Sequence, residues 1–234
     1  MKMDLTQTEL DRILLRPGPL NLKGFRLAHL SLKGAVLIDA DMEGANLEGT
    51  NLEGAKMQGA RLIDAYMLKA NLRGADLRGA RLFYADVSEA DLTGANLSKV
   101  MFNGGVGYSA NLSGAEMSEG NFSKTDFHNA TVIKAKMYGS IMRECDFSGG
   151  KLMGCYMEGA DMLESNLRNA DLRKAIMNGT YLEGADLRDA NLSEANMEYA
   201  ILVNANLQGA IMEGARRMGA RLTGCTMPDG SKHR

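Results

Sequence analysis

A five-residue repeat constrains the fold of this chain more than any other feature of its sequence. Within residues 22–227, every fifth position holds Leu, Met, Phe or Val, with Gly107 and Arg217 as the exceptions. From Ala35 onwards, the position two residues earlier holds Ala, Gly, Ser, Thr or Cys, apart from Val100. Because the register never slips by a residue, the chain must repeat one local structure along most of its length.

A period of five is typical of neither an α-helix nor an ordinary strand, which argues against an Ala-rich helical array. Two inward positions in every five, one large and one small, indicate a chain that bends after each repeat. Four bends close a square coil of about 20 residues, and such coils stack backbone to backbone at about 4.8 Å. Glycine recurs two residues after the large position, as at Gly44, Gly54 and Gly74, where a sharp bend favours it.

The segments Ala-Asn-Leu-Glu-Gly (45–49) and Ala-Asp-Leu-Arg-Gly (75–79) resemble the A(D/N)LxX signature of the pentapeptide-repeat family. The resemblance implies an all-β solenoid, a right-handed quadrilateral β-helix with about ten coils, over residues 21–227. The unbroken register and the Met-Pro-Asp-Gly segment (227–230) are most similar to cyanobacterial members such as the heterocyst-regulating type.

The two ends of the chain depart from the repeat. Residues 1–20 form a capping segment, in which Thr6 and Glu9 have the spacing of a capping box. This predicts a short helix over about residues 7–15 that covers the first coil, since an open coil exposes a sheet edge. Residues 228–234 are a polar tail, and no second helical cap is predicted there.

The sequence predicts no catalytic, cofactor-binding or metal-binding residues. His29 and His128 are separated by about five coils, or about 24 Å, and His233 lies in the tail, so they cannot share a metal or a triad. Cys145, Cys155 and Cys225 all fall at the small inward position, which predicts core packing without disulfides.

The many carboxylates recur at the position before the large residue, as at Asp41, Asp76 and Asp171. We interpret this as an outward polar position that tolerates Asp or Asn. A paired acid–base site where two such rows meet stays open, although no pair of residues is singled out.

Charge and hydropathy limit the classes of partner. Lys and Arg number 27 against 29 for Asp and Glu, which gives a net charge of −2. This balance does not predict a phosphate-binding surface, so a nucleic-acid partner is not expected. No apolar run is long enough to span a membrane, and residues 1–16 lack the pattern of a signal peptide. The expected compartment is the cytoplasm.

Most outward positions are polar, and one group of apolar exceptions gathers on three consecutive coils beside Gly107, where the axis residue is missing. Its members are Ile63, Tyr66, Leu68, Phe83, Tyr84, Met101, Val106 and Tyr108. Exposed apolar clusters rich in aromatic residues are typical of protein interfaces, so we expect a protein-binding patch. Ladder packing that stiffens the sheet and self-association through this patch are the alternatives.

We therefore expect a non-enzymatic regulatory or adaptor protein whose partner is another protein. The alternative is a DNA-mimicking, gyrase-binding protein like those of the fluoroquinolone-resistance branch of the resembled family. Those proteins are strongly acidic, dimerise through a C-terminal helix and in some cases carry loop insertions, none of which this chain shows. A purely structural role and self-association through the last coil also stay open.

Overall fold

The computed structural model describes residues 4–233 as one short helix followed by a right-handed quadrilateral β-helix. Helix α1 spans Gln7–Leu14. The rest of the chain has no extended strands within the described residues. Isolated parallel bridges instead connect each repeat to the repeat one coil higher, from the Asn21–Asp41 bridge to the Asn206–Thr226 bridge. The predicted fold class is confirmed.

The bridges form four rows, and each row defines one face of the solenoid. Face 1 begins at Asn21, face 2 at Arg26, face 3 at Ser31 and face 4 at Val36. We number the coils from residues 21–40, so that the third coil comprises residues 61–80 and the fifth 101–120. On each face the bridge residue and the residue two positions later point outward, whereas the residues at the large and small positions are buried, except for some in the first and last coils.

Backbone hydrogen bonds join every repeat to its neighbours above and below. Bonds of 2.7–2.8 Å run from Leu22 N–H to Asp41 O, from Gly24 N–H to Glu43 O and from Asp41 N–H to Leu20 O. A fourth bond closes each turn, as from Phe25 N–H to Leu22 O at 3.1 Å. This pattern leaves one N–H per repeat without a backbone acceptor, that of the residue after the large position.

Where the bridge residue is Asp or Asn, its side chain supplies the missing acceptor. Asn46 Oδ1 accepts from Glu48 N–H at 2.9 Å, and Asp86 Oδ1 accepts from Ser88 N–H at 2.8 Å. These residues do lie at an outward polar position, as interpreted from the sequence, and the structure adds a role that the sequence analysis did not predict. These side chains stabilise the turn, because each makes the local hydrogen bond of an Asx-turn.

The turn itself explains the glycines. Every fifth residue from Gly24 to Gly224 has a φ between 54° and 72°, the left-handed region that the third residue of a type II turn requires. Glycine adopts this conformation without steric cost, whereas a residue such as Lys69 or Tyr84 there is strained by about 1–3 kcal/mol.

Helix α1 covers the first coil with the predicted capping box. Thr6 Oγ1 accepts from Glu9 N–H at 3.3 Å, and the Glu9 carboxylate accepts from Thr6 N–H at 2.9 Å. Leu10 is fully buried against the core. The side-chain amide of Gln7 donates to Ser31 O at 3.0 Å and accepts from Ser31 N–H at 2.8 Å, so it replaces a neighbouring strand on face 3. At the other end, residues 226 and 232 form an antiparallel bridge.

Gly107 occupies a large inward position, so the sequence suggests a gap in the core there. In the structure, the ring of Phe127 fills this space. A Cβ atom at Gly107 would lie 2.7 Å from Cδ1 of Phe127, the residue one coil higher. Gly105 makes room for the Phe102 ring in the same way, since a Cβ atom there would collide with Cε2 of that ring. The Phe102 and Phe127 rings are 5.8 Å apart, edge to face. Large rings and glycines therefore compensate each other in volume along the axis.

We predict that Gly107 and Phe127 are energetically coupled. Gly107→Leu should destabilise the protein by about 1–3 kcal/mol, because the new side chain collides with the Phe127 ring. In the double variant with Phe127→Leu, which gives both positions the commonest large residue, the loss should be smaller than the sum of the two single losses. Urea unfolding followed by circular dichroism measures the free energy of unfolding of the unmodified protein, the two single variants and the double variant. Additive losses would contradict the volume compensation.

Candidate protein-binding surface

The eight residues predicted to form a patch lie around the corner between faces 1 and 2, on coils three to five. We call them the corner patch. Face 1 contributes Ile63, Phe83 and Met101, the turn contributes Tyr84, and face 2 contributes Tyr66, Leu68, Val106 and Tyr108. On face 2 the fourth coil interrupts the patch with Asp86 and Ser88, so the apolar surface is continuous only on the face 1 side.

The corner patch is unevenly exposed. Tyr84 protrudes most, with 68% of its surface exposed. Tyr66, Met101, Val106 and Tyr108 are also exposed. Three members, by contrast, are half-buried between the coils above and below, which fits the ladder-packing interpretation for that part of the set: Ile63, Leu68 and Phe83. The available contact surface is therefore mainly aromatic, with methionine and valine beside it.

Tyr84 is held in place by the coil above it. Its φ is 58°, and a Cβ at Gly104 would lie 2.8 Å from Cε1 of the Tyr84 ring. The ring thus rests against the glycine backbone, in the space that a side chain at residue 104 would need. The same pairing joins His29 to Gly49. This contact restricts the positions open to the ring, which lowers the side-chain entropy lost when a partner binds through Tyr84.

The face 2 side of the corner patch is acidic. Partial desolvation raises the pKa of the Tyr66 hydroxyl, and the nearby carboxylates of Glu48 and Asp86 raise it further. The hydroxyl is therefore protonated at neutral pH and able to donate a hydrogen bond. Tyr108 stacks on His128 of the next coil, with ring centroids 5.8 Å apart.

The structure brings together one constellation that sequence reasoning missed, formed by Asp146, Ser148 and His128. Ser148 Oγ donates to Asp146 Oδ1 at 2.5 Å and lies 2.8 Å from His128 Nδ1. In a catalytic triad the hydroxyl donates to the imidazole and the carboxylate orients the imidazole. Here the carboxylate binds the hydroxyl instead. Ser113 makes the same bond to Asn111 at 2.7 Å, which identifies the arrangement as a turn feature of the repeat.

Several carboxylates are tied to arginines two residues later. Hydrogen bonds from the Arg173 side chain hold the pKa of Asp171 below its usual range, and the Arg188 side chain does the same for Asp186. The bond from Arg173 Nε to Asp171 Oδ1 measures 2.8 Å. A carboxyl group with a lowered pKa is a poor general acid at neutral pH.

The cysteines lie in the core as predicted, and all three are free thiols. Cys145 donates to Phe122 O at 2.8 Å and Cys155 to Val132 O at 2.7 Å. Burial raises the pKa of each of these two thiols to about 12, so both are neutral and unreactive. Among residues 4–233, no three His, Cys, Asp or Glu side chains are grouped so that they could hold a metal ion.

Over the same described range, no helix has the length and apolar character needed to cross a membrane.

A family model of pentapeptide repeats matches the chain in 8 copies. The matched residues are 21–54, 31–67, 45–83, 60–98, 110–149, 151–189 and 190–227. No curated protein sequence matches the chain significantly.

Solved structures of the same kind resemble the chain. HetL, a pentapeptide repeat protein involved in heterocyst differentiation regulation in the cyanobacterium Nostoc sp. strain PCC 7120, is 30% identical, with 100% of both chains covered and a TM-score of 0.42. Rfr23 from the cyanobacterium Cyanothece 51142 is 25% identical over 52% of this chain and 86% of its own, with a TM-score of 0.30. QnrB1, a plasmid-mediated fluoroquinolone resistance protein, is 14% identical over 82% of this chain and 90% of its own, with a TM-score of 0.39.

The buried thiols give a prediction about reactivity. In the native protein at pH 8, Cys145 and Cys155 should react with a disulfide reagent at least about 100-fold more slowly than after unfolding in urea, because the thiolate fraction is minute. Cys225, in the last coil, should react first through local opening. Spectrophotometric thiol counting measures this. Rapid reaction of all three thiols in the native state would contradict it.

The Asp–Arg pairs give a prediction about pH. The folded-state pKa of Asp171 is lowered, so its stabilisation is present above the unfolded pKa of about 3.9 and is lost as the pH falls through the folded value. The free energy of unfolding should therefore decrease below about pH 4. Asp171→Asn, which keeps the acceptor for Arg173 N–H, should show a smaller decrease in urea titrations from pH 7 to 3. An unchanged slope would mean that this pair adds no stability.

Proposed function

This chain belongs to the pentapeptide-repeat family, and we propose that it is a non-enzymatic regulatory or adaptor protein that binds another protein through the corner patch. The observation that supports this most is the clustering of exposed Tyr66, Tyr84, Met101, Val106 and Tyr108 on adjacent coils. Tyrosine and methionine are enriched at protein interfaces, and exposed apolar clusters mark interaction sites.

The absence of enzymatic activity is proposed from the roles that the reactive side chains already have. The hydroxyl of Ser148 is bound to Asp146, and the thiols of Cys145 and Cys155 are neutral and buried. The carboxylate of Asp171 is bound to the Arg173 guanidinium. Each of these groups stabilises the coil in which it lies, which leaves them poorly suited to act as a nucleophile or as a general acid.

The scaffold supports recognition by a rigid surface. Each coil is bonded to the next through its backbone, so outward side chains occupy fixed rows. A partner thus meets side chains whose positions are set before binding, which reduces the entropic cost of association. We also propose a cytoplasmic location, since three free cysteines suit a reducing compartment.

DNA mimicry has weaker support. A protein that replaces DNA needs a continuous row of negative charge, because the duplex carries one charge per about 1.7 Å. Carboxylates on this solenoid alternate with basic side chains. On face 3, for example, Arg73 pairs with Asp91 and Lys33 with Glu53, each at 3.0 Å. The surface therefore alternates in sign over short distances.

We predict that the exposed tyrosines of the corner patch are required for partner binding. The triple variant Tyr66→Ser, Tyr84→Ser and Tyr108→Ser should keep its circular dichroism spectrum but bind the partner at least about tenfold more weakly, since interface aromatics carry much of the binding energy. Affinity capture from a native lysate, followed by titration of the captured protein, measures this loss.

A matched control removes three tyrosines of similar exposure outside the corner patch. These are Tyr138, Tyr181 and Tyr199, with 38%, 45% and 61% exposed against 37%, 43% and 68% for Tyr66, Tyr108 and Tyr84. The control variant should bind like the unmodified protein. No loss of binding in either triple variant would place the binding site outside the corner patch. Equal losses in both variants would show that the tyrosines of the corner patch are not specifically required. Either result contradicts the proposal.

A further inference from the structure

We propose that the corner patch receives an amphipathic helix of the partner that carries a carboxylate, and that Arg81 is the residue that recognises this carboxylate. The inference rests on the proposed function and specifies the chemistry of the partner. It starts from the pairing of the arginines on face 1.

Arg81 has no counter-charge, whereas its neighbours do. Arg61, one coil below, forms ion pairs with Asp41 at 3.5 Å and with Glu43. Arg143, higher on the same face, pairs with Asp161 at 2.6 Å. For the exposed Arg81 side chain, no carboxylate within residues 4–233 lies within 4.0 Å and no hydrogen-bond acceptor is present. Its five N–H donors are therefore available to a ligand.

The side chains above and beside Arg81 are apolar, whereas its bridge partner in the coil below is Arg61. Met101 is its bridge partner in the coil above, Phe83 occupies the second outward position of the same repeat, and Tyr84 forms the adjoining turn. A partner that covers these side chains also removes Arg81 from water. An apolar segment alone would bury an uncompensated charge, which is strongly unfavourable, whereas a carboxylate forms a charge-assisted pair.

The charge distribution across the corner determines where the carboxylate lies. Glu48 and Asp86 flank Tyr66 on the face 2 side. A carboxylate placed there would meet like charges, which is unfavourable. The acidic residue of the partner is therefore expected over face 1 and its basic residues over face 2.

A helix fits this surface better than an extended segment. The backbone N–H groups of the coils are bonded to adjacent coils, so a partner strand cannot add to the sheet at the side of the solenoid. An extended segment lying on an apolar patch would leave its own N–H and C=O groups without partners. A helix satisfies these groups internally.

The spacing of the coils also suits a helix parallel to the solenoid axis. Adjacent coils are separated by about 4.8 Å, and a helix rises about 4.5 Å over three residues and about 10.5 Å over seven. Apolar residues at positions i, i+3 or i+4, and i+7 of a helix therefore match three successive coils, the extent of the corner patch.

The experiment uses a display library of fully randomised linear peptides, so that helical and extended spacings can both be selected. Selection on the immobilised full chain should enrich peptides with apolar residues at i, i+3 or i+4, and i+7 and an Asp or Glu at one recurring position. A selected peptide should bind the Arg81→Glu variant at least about tenfold more weakly than the unmodified protein, and the loss should be smaller for Arg81→Gln. Replacing the acidic residue of the peptide with Lys should restore binding to the Arg81→Glu variant. Circular dichroism verifies that each variant is folded.

The matched control is Arg168→Glu, a charge reversal at an arginine on face 2 that also lacks an ion pair among the described residues. It should leave binding unchanged. Peptides that need Tyr84 but show no acidic preference, or that tolerate Arg81→Glu, would overturn the inference and leave the proposed function standing. Peptides with extended rather than helical spacing would overturn it as well. If no peptide is selected, or if the selected peptides are indifferent to the Tyr66, Tyr84 and Tyr108 variants, the inference fails. The proposed function fails as well only if the triple tyrosine variant captures the partner from a lysate as strongly as the unmodified protein.

Discussion

Every feature of this solenoid depends on the hydrogen bonds between successive coils. The inward residue of each repeat donates its N–H to the bridge carbonyl one coil higher, as Leu22 does to Asp41 at 2.7 Å. Because these bonds recur with the same geometry on all four faces, each repeat must occupy the same height and shape as the one beneath it. That requirement fixes the positive φ of each turn and the small size of one inward residue, and it favours an acceptor at the bridge position. A bridge residue without an acceptor, as at Arg81 and Val106, leaves the turn N–H of its repeat without an acceptor in the described chain.

The same requirement explains why the polar side chains offer so little chemistry. Where the bridge residue is Asp or Asn, its side chain accepts from the turn N–H, and a hydroxyl two residues later is close enough to donate back, as Ser148 does to Asp146. Several small inward residues with a polar atom likewise donate to a backbone carbonyl of the coil below. Thr50 donates to Leu27 O at 2.8 Å, and Cys145 donates to the equivalent carbonyl near it. Polarity in this protein serves to complete the coil, and selective recognition is left to those outward side chains that the coil does not use.

Much of the fold could be predicted from the sequence because its determinants are local. The two inward rows, the capping box of Thr6 and Glu9, and the core positions of the cysteines each follow from residues close together in the chain. Apart from the turn bonds of Asp and Asn, what escaped prediction involves residues one coil apart. The filling of Gly107 by Phe127 and the approach of His128 to Ser148 both join positions that are distant in sequence but adjacent in a column.

The candidate surface shows the same division. Its location on coils three to five followed from the register, and the structure places its members around one corner. The half-burial of Ile63, Leu68 and Phe83 could not be predicted, since it depends on the side chains above and below each of them. The unpaired state of Arg81 was hidden for a similar reason, because the sequence shows carboxylates nearby without showing which cations they contact.

The packing of the Phe127 ring against Gly107 also limits where repeats can be inserted into or deleted from this chain. A duplication of one pentapeptide between these residues would rotate Phe127 onto another face, where it would no longer fill the space above Gly107. A duplication of a whole coil at that point would preserve the faces but would place a new coil between ring and glycine. An insertion or deletion that preserves this packing must therefore lie outside residues 107–127, so the solenoid can change length there without separating the ring from the glycine that accommodates it.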